Sequence, residues 1–308
     1  MRVSINFVLA LVGALTASAA PIQEIEDWVS SVTQVAQSDI DGWTPYTQFA
    51  RAAYCDPSAT KTWTCGEACD AVPGFQATLT GGDGDTIQNY FVGYWPDQNA
   101  VVVAHEGTDP TQFQSDLTDA DIPMENLDAG LFPGVPDAVQ VHKGFADEHA
   151  KTAKDILTEV NNLISQHSAT EVVLVGHSLG GALSELESLY MTLNLPSSIN
   201  VKGQTYGTPR VGNGDYASFF DGKVGDFIRI NNKKDLIPIV PGRFLGFSHV
   251  QGETHITDDG TVYECPGDDD ADDDQCTIKT VPNVFDGDIT NHLGPYPGNI
   301  YMGTIYCT

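Results

Sequence analysis

Residues 171–193, EVVLVGHSLGGALSELESLYMTL, constrain this chain more than any other stretch. An apolar, β-branched run from Glu171 to Val175 turns through Gly176-His177-Ser178-Leu179-Gly180-Gly181 and continues with a helical pattern. Strand, tight turn and helix are the setting of a nucleophile elbow, in which a strained serine is held above the end of a sheet. Gly176 and Gly180 remove side chains where strand and helix crowd together. The hydroxyl of Ser178 then lies near the positive end of the following helix. The alternative is a glycine-rich turn with a passive serine; the apolar run before it and the amphipathic run after it favour the nucleophile.

The flanking sequence limits where such a chain works. Residues 1–20, MRVSINFVLALVGALTASAA, have one positive charge, an apolar middle and a small-residue end. That pattern predicts a secretory signal peptide cleaved after Ala19 or Ala20. Residues 21–308 suit one large α/β domain. No later stretch is apolar for long enough to cross a membrane. With 42 acidic and 14 basic residues the formal net charge is -28, which argues against nucleic acid or an anionic membrane as partner. It fits an acidic medium. Six cysteines follow the signal region, an even count that suggests three disulfides with fifteen possible pairings. Proximity favours Cys65–Cys69 and Cys265–Cys276, which leaves Cys55–Cys307. Zinc is a poor alternative, because the cysteines do not form two close pairs.

A coarse secondary-structure reading places the elbow in a sheet. A short helix is expected across Ile25–Val35. Another follows Thr44, which can cap it, with Pro45 at the first helical position. Strands are expected at 75–80, 87–95 and 100–104, joined by turns that suggest an antiparallel start. Val139-Gln140-Val141-His142 reads as a strand leading into a helix over about 146–165. Further strands fall at 201–206 and 227–231, separated by a helix at 215–220. Strands alternating with helices from 139 to 231 imply parallel crossovers. Residues 247–264 read as short antiparallel strands. The fold class is α/β: a mixed, mainly parallel central sheet with helices on both faces.

A serine hydroxyl is a weak nucleophile and needs a base within reach. Histidine suits because it titrates near neutrality and can return the proton to the leaving group. A buried carboxylate holds the imidazole tautomer. Asp235 lies on a loop after a strand that follows the nucleophile's strand, and His292 lies near the C-terminus. The chain order Ser178, Asp235, His292 is the one α/β-hydrolases use. The negative oxygen of a tetrahedral intermediate needs preorganised donors. The backbone N–H of Leu179 is one candidate. Thr108, after the 100–104 strand, is the other; a threonine that only caps the next segment is the alternative. His177 is expected to point away from the site, into supporting structure.

Several motifs then agree: His142-Lys143-Gly144-Phe145, GHSLGG, TYGTPRVGN at 205–213, Asp235-Leu236-Ile237-Pro238-Ile239-Val240-Pro241, Ser248-His249 and His292-Leu293. Together they resemble the secreted fungal class 3 lipases, an α/β-hydrolase family acting on acylglycerols, from about Thr44 to Cys307. The resemblance implies Ser178 as nucleophile, Asp235 as acid, His292 as base, and Thr108 and Leu179 as oxyanion hole. It implies a long-range disulfide like Cys55–Cys307 and places His249 near the site outside the triad. It implies no cofactor or metal, and a lipid or small ester substrate at an oil–water interface.

Two departures stand out. The family's oxyanion strand commonly ends in Phe-Arg-Gly-Ser or Phe-Arg-Gly-Thr; here it is His105-Glu106-Gly107-Thr108, with a negative side chain in place of a positive one. Family lids usually carry a tryptophan and an apolar face, whereas 109–116 has only Phe113 as a plainly apolar residue. A lid of that kind attracts a lipid surface weakly. Met124, Leu127, Leu131, Phe132 and Val135 offer apolar surface instead, or ordinary packing. The six aspartates within 267–275 read as a solvated hairpin tip rather than a calcium site. The expected activity is a secreted triacylglycerol-lipase-type esterase. Restriction to mono- and diacylglycerols, a feruloyl-type esterase, and an inactive binding protein are the alternatives.

Overall fold

Val101, Val102 and Val103 are consecutive and all fully buried. Only a strand covered on both faces tolerates that. The computed structural model, which describes residues 31–108, 113, 117, 122–269 and 273–307, puts them in a nine-stranded sheet. From one edge its strands are Thr33–Gln34, Val262–Cys265, Glu253–Ile256, Asp226–Asn232, Asn200–Tyr206, Glu171–His177, Ala100–His105, Tyr90–Trp95 and Gln76–Gly81. The five strands from 253–256 across to 100–105 run parallel to their neighbours. The outer strands pair antiparallel.

Side-chain alternation along the strands feeds two cores. Val101, Val103, Val172 and Leu174 face a core with Phe145, Ile156, Val160 and Leu163 of the helix Lys143–His167, and Leu186 and Leu189 of the helix Leu179–Asn194. Val102, Ala104, Val173 and Val175 face the opposite core, with Phe49, Ala50 and Tyr54. Each large apolar side chain buried this way contributes roughly 1.5–3 kcal/mol. All three disulfides pair as expected: Cys55–Cys307, Cys65–Cys69 and Cys265–Cys276.

Several local expectations are corrected. Residues 25–30 and the signal segment 1–20 lie outside the described residues, but Thr33–Gln34 is an edge strand on 262–265, not helix. The sheet edge supplies backbone partners that outweigh a weak helical pattern. Trp43, not Thr44, occupies the N-cap position of the helix Thr44–Ala52, with no side-chain capping bond, and Pro45 is its second residue. The strand Gln140–His142 leaves the main sheet and joins a small antiparallel one with Met124–Asn126, Gly212–Asn213 and Phe247–Ser248. The helix begins at once after His142, whose ring caps it by accepting from Phe145 N–H at 3.3 Å. The strand Glu253–Ile256 pairs antiparallel with 262–265 but parallel with 226–232, so the 247–264 segment is not antiparallel throughout.

Leu127, Leu131 and Phe132 are buried in the first core, so the 124–136 loop serves packing rather than apolar surface. The aspartate run is not wholly solvated either. Asp269 is buried and pairs with the buried Arg210 Nε at 2.5 Å, while 270–272 lie outside the described residues. The expected lid, 109–116, also lies outside them except for Phe113, which is buried beside Phe145.

Candidate active site

The strand Glu171–His177 ends in a turn that only a crowded junction requires. A Cβ added to Gly176 would fall 2.0 Å from Gly180 O, so strand and helix meet with no space for one. Ser178 takes φ 60° and ψ -127°, a positive-φ conformation that side chains rarely adopt. Such strain persists only where surroundings impose it. Here the Ser178 N–H donates to Tyr206 O at 2.9 Å on the neighbouring strand, and its carbonyl accepts from Gly181 N–H at 2.9 Å. Leu179 opens the helix, where first-turn N–H groups have no intrahelical acceptor.

Asp235 and His292 reach the same place from separate loops. Asp235 is fully buried, and its Oδ1 accepts the Ile237 N–H at 2.9 Å. Its Oδ2 accepts from His292 Nδ1 at 2.7 Å. That bond fixes the tautomer: the proton sits on Nδ1, and Nε2 carries a free lone pair. The 3-10 turn Ile289–Leu293 is held by Asp288, whose Oδ1 accepts from Thr290 N–H at 2.9 Å and whose N–H donates to Lys234 O at 2.7 Å. Asn232 Nδ2 adds a bond to Asn291 O at 2.8 Å. A Cβ on Gly207, next to Ser178's partner Tyr206, would lie 2.8 Å from both Asp235 Oδ2 and His292 Nδ1. The Asp235–His292 pair therefore packs beside the Ser178 turn. Ser178 Oγ and His292 Nε2 are both buried and neither makes a hydrogen bond.

His177 points into supporting structure. Its Nε2–H donates to His292 O at 2.7 Å, and its Nδ1 accepts from Tyr54 OH at 2.5 Å. Tyr296 OH donates to the same carbonyl at 3.0 Å. Burial, and then the nearby His292, push the His177 pKa well below its ordinary value, so the ring stays neutral and both bonds keep their direction. His249 is likewise buried with its pKa driven down, first by burial and then by Arg229 and Arg210. Its Nε2 is tied to Pro238 O at 2.7 Å.

The strand Ala100–His105 leads to the other wall. A Cβ on Gly107 would lie 2.2 Å from Tyr54 OH and 3.0 Å from Ser178 Cβ, so segment 106–108 lies against the serine. Thr108, half-buried, follows directly. A cleft of about 470 Å³ is lined by Ile239, Val240, Leu245, Ile278 and Val284, on the segments that follow Asp235 and precede His292, together with Leu117 and others. Phe244, also in its wall, is 87% exposed, and Phe285, beside Val284, is 94% exposed. One group of potential metal ligands converges among the described residues, Glu253 with Cys265 and Cys276, and its sulfurs are already joined to each other.

Some supporting residues carry no sequence signal. Tyr54 and Tyr296 belong to no motif. Glu185 and Glu187 lie in a helix read as amphipathic, yet residues 180–191 are all buried. Glu187 Oε2 faces His149 Nε2 at 2.8 Å and His105 Nε2 at 3.8 Å. Two acidic residues in a stretch otherwise too apolar for a surface helix were the available hint.

The class 3 lipase pattern matches residues 102–245. The secreted mono- and diacylglycerol lipase MDL2 of Malassezia globosa is 35% identical over 176 residues, 56% of this chain and 57% of that protein. The lipase of Rhizomucor miehei is 28% identical over 263 residues, 83% of this chain and 69% of that one. The chain thus spans about half the length of the first curated relatives it matches, MDL2 at 57% and the related LIP1 at 49%. The structure of lipase II from Rhizopus niveus superposes with a TM-score of 0.77 at 25% identity, covering 90% of this chain and 100% of that one. The Rhizomucor miehei lipase–propeptide complex gives 0.76 at 26% identity, covering 90% and 85%. With the elbow, the sheet order and these matches in agreement, the chain is similar to the class 3 lipases and has the α/β-hydrolase fold.

Proposed function

We propose that this protein is a secreted serine esterase that cleaves acylglycerol esters through an acyl-enzyme. One observation carries the reading: His292, its Nδ1 bound to Asp235, presents an unbonded Nε2 in the site where the strained Ser178 presents an unbonded Oγ. His292 Nε2 takes the proton as Ser178 Oγ attacks the ester carbon. Asp235 stabilises the imidazolium that forms. The N–H groups of Leu179 and Thr108, with the Thr108 hydroxyl, receive the oxyanion. The imidazolium then protonates the departing alcohol, and water, deprotonated by the same nitrogen, releases the acid. None of these steps calls on a cofactor.

The apolar cleft beside the Asp235 and His292 loops is of a size usual for small-molecule sites and suits an acyl chain. Names of the Malassezia relatives favour mono- and diacylglycerols as the narrower substrate class. Rates on emulsified triolein, diolein and methyl ferulate under matched conditions separate the classes. Activity confined to ferulate sinks the lipase reading. Secretion is supported by residues 1–20 and by relatives named as secreted, and no helix among the described residues is long and apolar enough to cross a membrane. A mature N-terminus just after Ala19 or Ala20 checks it. An alkyl p-nitrophenyl phosphonate should label Ser178 stoichiometrically and leave Ser178→Ala unlabelled. Correctly folded parent protein that takes up no label would indicate a binding protein instead.

A further inference from the structure

Glu106 is 6% exposed, and no Lys or Arg nitrogen among the described residues pairs with it. Its bonds are to one residue of the adjacent hairpin. The Glu106 N–H donates to Asn89 O at 2.8 Å, and Glu106 Oε2 accepts the Asn89 N–H at 3.0 Å. This two-bond ring closes at the point where the 100–105 strand ends and the segment toward Thr108 begins. The next residue, Gly107, lies against Tyr54 OH and Ser178 Cβ. We propose that Glu106 is a positioning residue for the oxyanion segment 106–108, clamping it to Asn89, and that it does so as a neutral carboxylic acid.

The surroundings disfavour its charge from every side. The cleft it borders, about 570 Å³, is lined by Tyr54, Asp56, Asp83, Gly84, Asn89 and Thr304, with no basic residue among its walls. Asp56, at the cap of the helix Pro57–Lys61, is held ionised by its bonds from Ser58. Asp83, in the hairpin turn, is held ionised by the backbone N–H groups of Ile87, Asp85 and Thr86. Tyr54 is driven further from ionisation by burial and then by Glu106 itself. His105, the preceding residue, is kept neutral by burial and then by His149, its pKa lowered to about 3. Lys151 of the long helix is committed to Thr86 O and Glu148. Burial accordingly raises the Glu106 pKa to about 7, against the opposing bond from Asn89. In the neutral acid Oε2 acts as the carbonyl oxygen, so the clamp holds. Once ionised, the carboxylate adds a negative charge beside the place where the oxyanion forms, and the transition state loses stabilisation.

The inference rests on the esterase reading, so the experiment carries one readout that depends on activity and one that does not. Hydrolysis of soluble p-nitrophenyl butyrate is followed from about pH 5 to pH 9 for the parent, Glu106→Gln and Glu106→Ala. The parent's kcat should fall about tenfold per pH unit above a midpoint near 7, as a single ionisation dictates. Glu106→Gln keeps an acceptor for Asn89 and cannot ionise, so its alkaline limb should be absent. Glu106→Ala should lose roughly tenfold or more in kcat at every pH, with KM within about twofold. Hydrogen–deuterium exchange over residues 87–108 should show protection kept in Glu106→Gln and lost in Glu106→Ala. An unchanged alkaline limb in Glu106→Gln overturns the neutral-acid role. Unchanged exchange in a folded Glu106→Ala overturns the clamp. If no variant and no parent hydrolyses the ester, the esterase reading fails and the positioning role falls with it, whatever the exchange shows.

Discussion

At the scale of single residues, the decisive contact is Asp235 Oδ2 with His292 Nδ1 at 2.7 Å. Asp235 also accepts from Ile237, so both of its oxygens are used by N–H donors. Asp235→Asn preserves size and lets one oxygen keep a donor, but it offers an N–H where Nδ1–H now donates. The ring must then shift its proton toward Nε2 and lose the lone pair it would use as a base. We expect kcat to fall about 10³- to 10⁴-fold with little change in KM, as loss of tautomer control predicts. Steady-state kinetics on a soluble ester check this; a loss below about tenfold would remove Asp235 from the mechanism. His177 shows why adjacency in sequence misleads about role. It neighbours the serine, yet both of its nitrogens are occupied by Tyr54 and the His292 carbonyl.

At the scale of elements, the helix that follows the elbow is unusual in its burial. It packs on the sheet and against the long helix 143–167, and every residue from Gly180 to Met191 is buried. Its two glutamates therefore cannot reach water. Glu185 lies near Arg229 and Tyr216, and burial raises its pKa to about 8. Glu187 meets His149 of the long helix. Removing one partner of a buried pair leaves the other uncompensated. His149→Leu alone should therefore destabilise by about 3–5 kcal/mol, whereas His149→Leu with Glu187→Leu should recover most of it. Urea unfolding of the three proteins tests this. Equal destabilisation by the single and double variants would show that the pair is not coupled. The sequence reads this run as amphipathic, which would leave one face to solvent. Tertiary packing gave that face a second layer of protein.

At the scale of the whole molecule, two sets of buried groups pull stability in opposite directions with pH. Glu106, Glu185 and Asp221 have pKa values raised to about 7, 8 and 6, each chiefly by burial. A raised carboxyl contributes stability below its unfolded value, and that contribution is lost as pH rises through the folded value. His105 and His142 are lowered to about 3 and 4, and His177 and His249 lie well below 6.5, again chiefly by burial. A lowered imidazole contributes stability above its unfolded value, and that contribution is lost as pH falls toward the folded value. The melting temperature should therefore peak on the weakly acidic side, between the ordinary values of 4.5 for glutamate and 6.5 for histidine. A scan of melting temperature across pH 3 to 9 that peaks above about pH 8 would contradict this balance. The net charge of -28 adds repulsion on the alkaline flank.

By itself, the sequence determined what depends on near neighbours along the chain. The strand, turn and helix around Ser178, the parallel α/β core and the order Ser178, Asp235, His292 all follow from local pattern and spacing, because strand and helix periodicities are properties of short segments. The pairing of close cysteines belongs with them. Only the tertiary structure decided which distant groups share a buried space. It brought Tyr54 to His177, Glu187 to His149, Asp269 to Arg210 and Glu106 to Asn89, and it sent the 140–142 strand to a second sheet. Such choices turn on which surfaces exclude water together, and that exclusion is set by the packing of segments far apart in the chain.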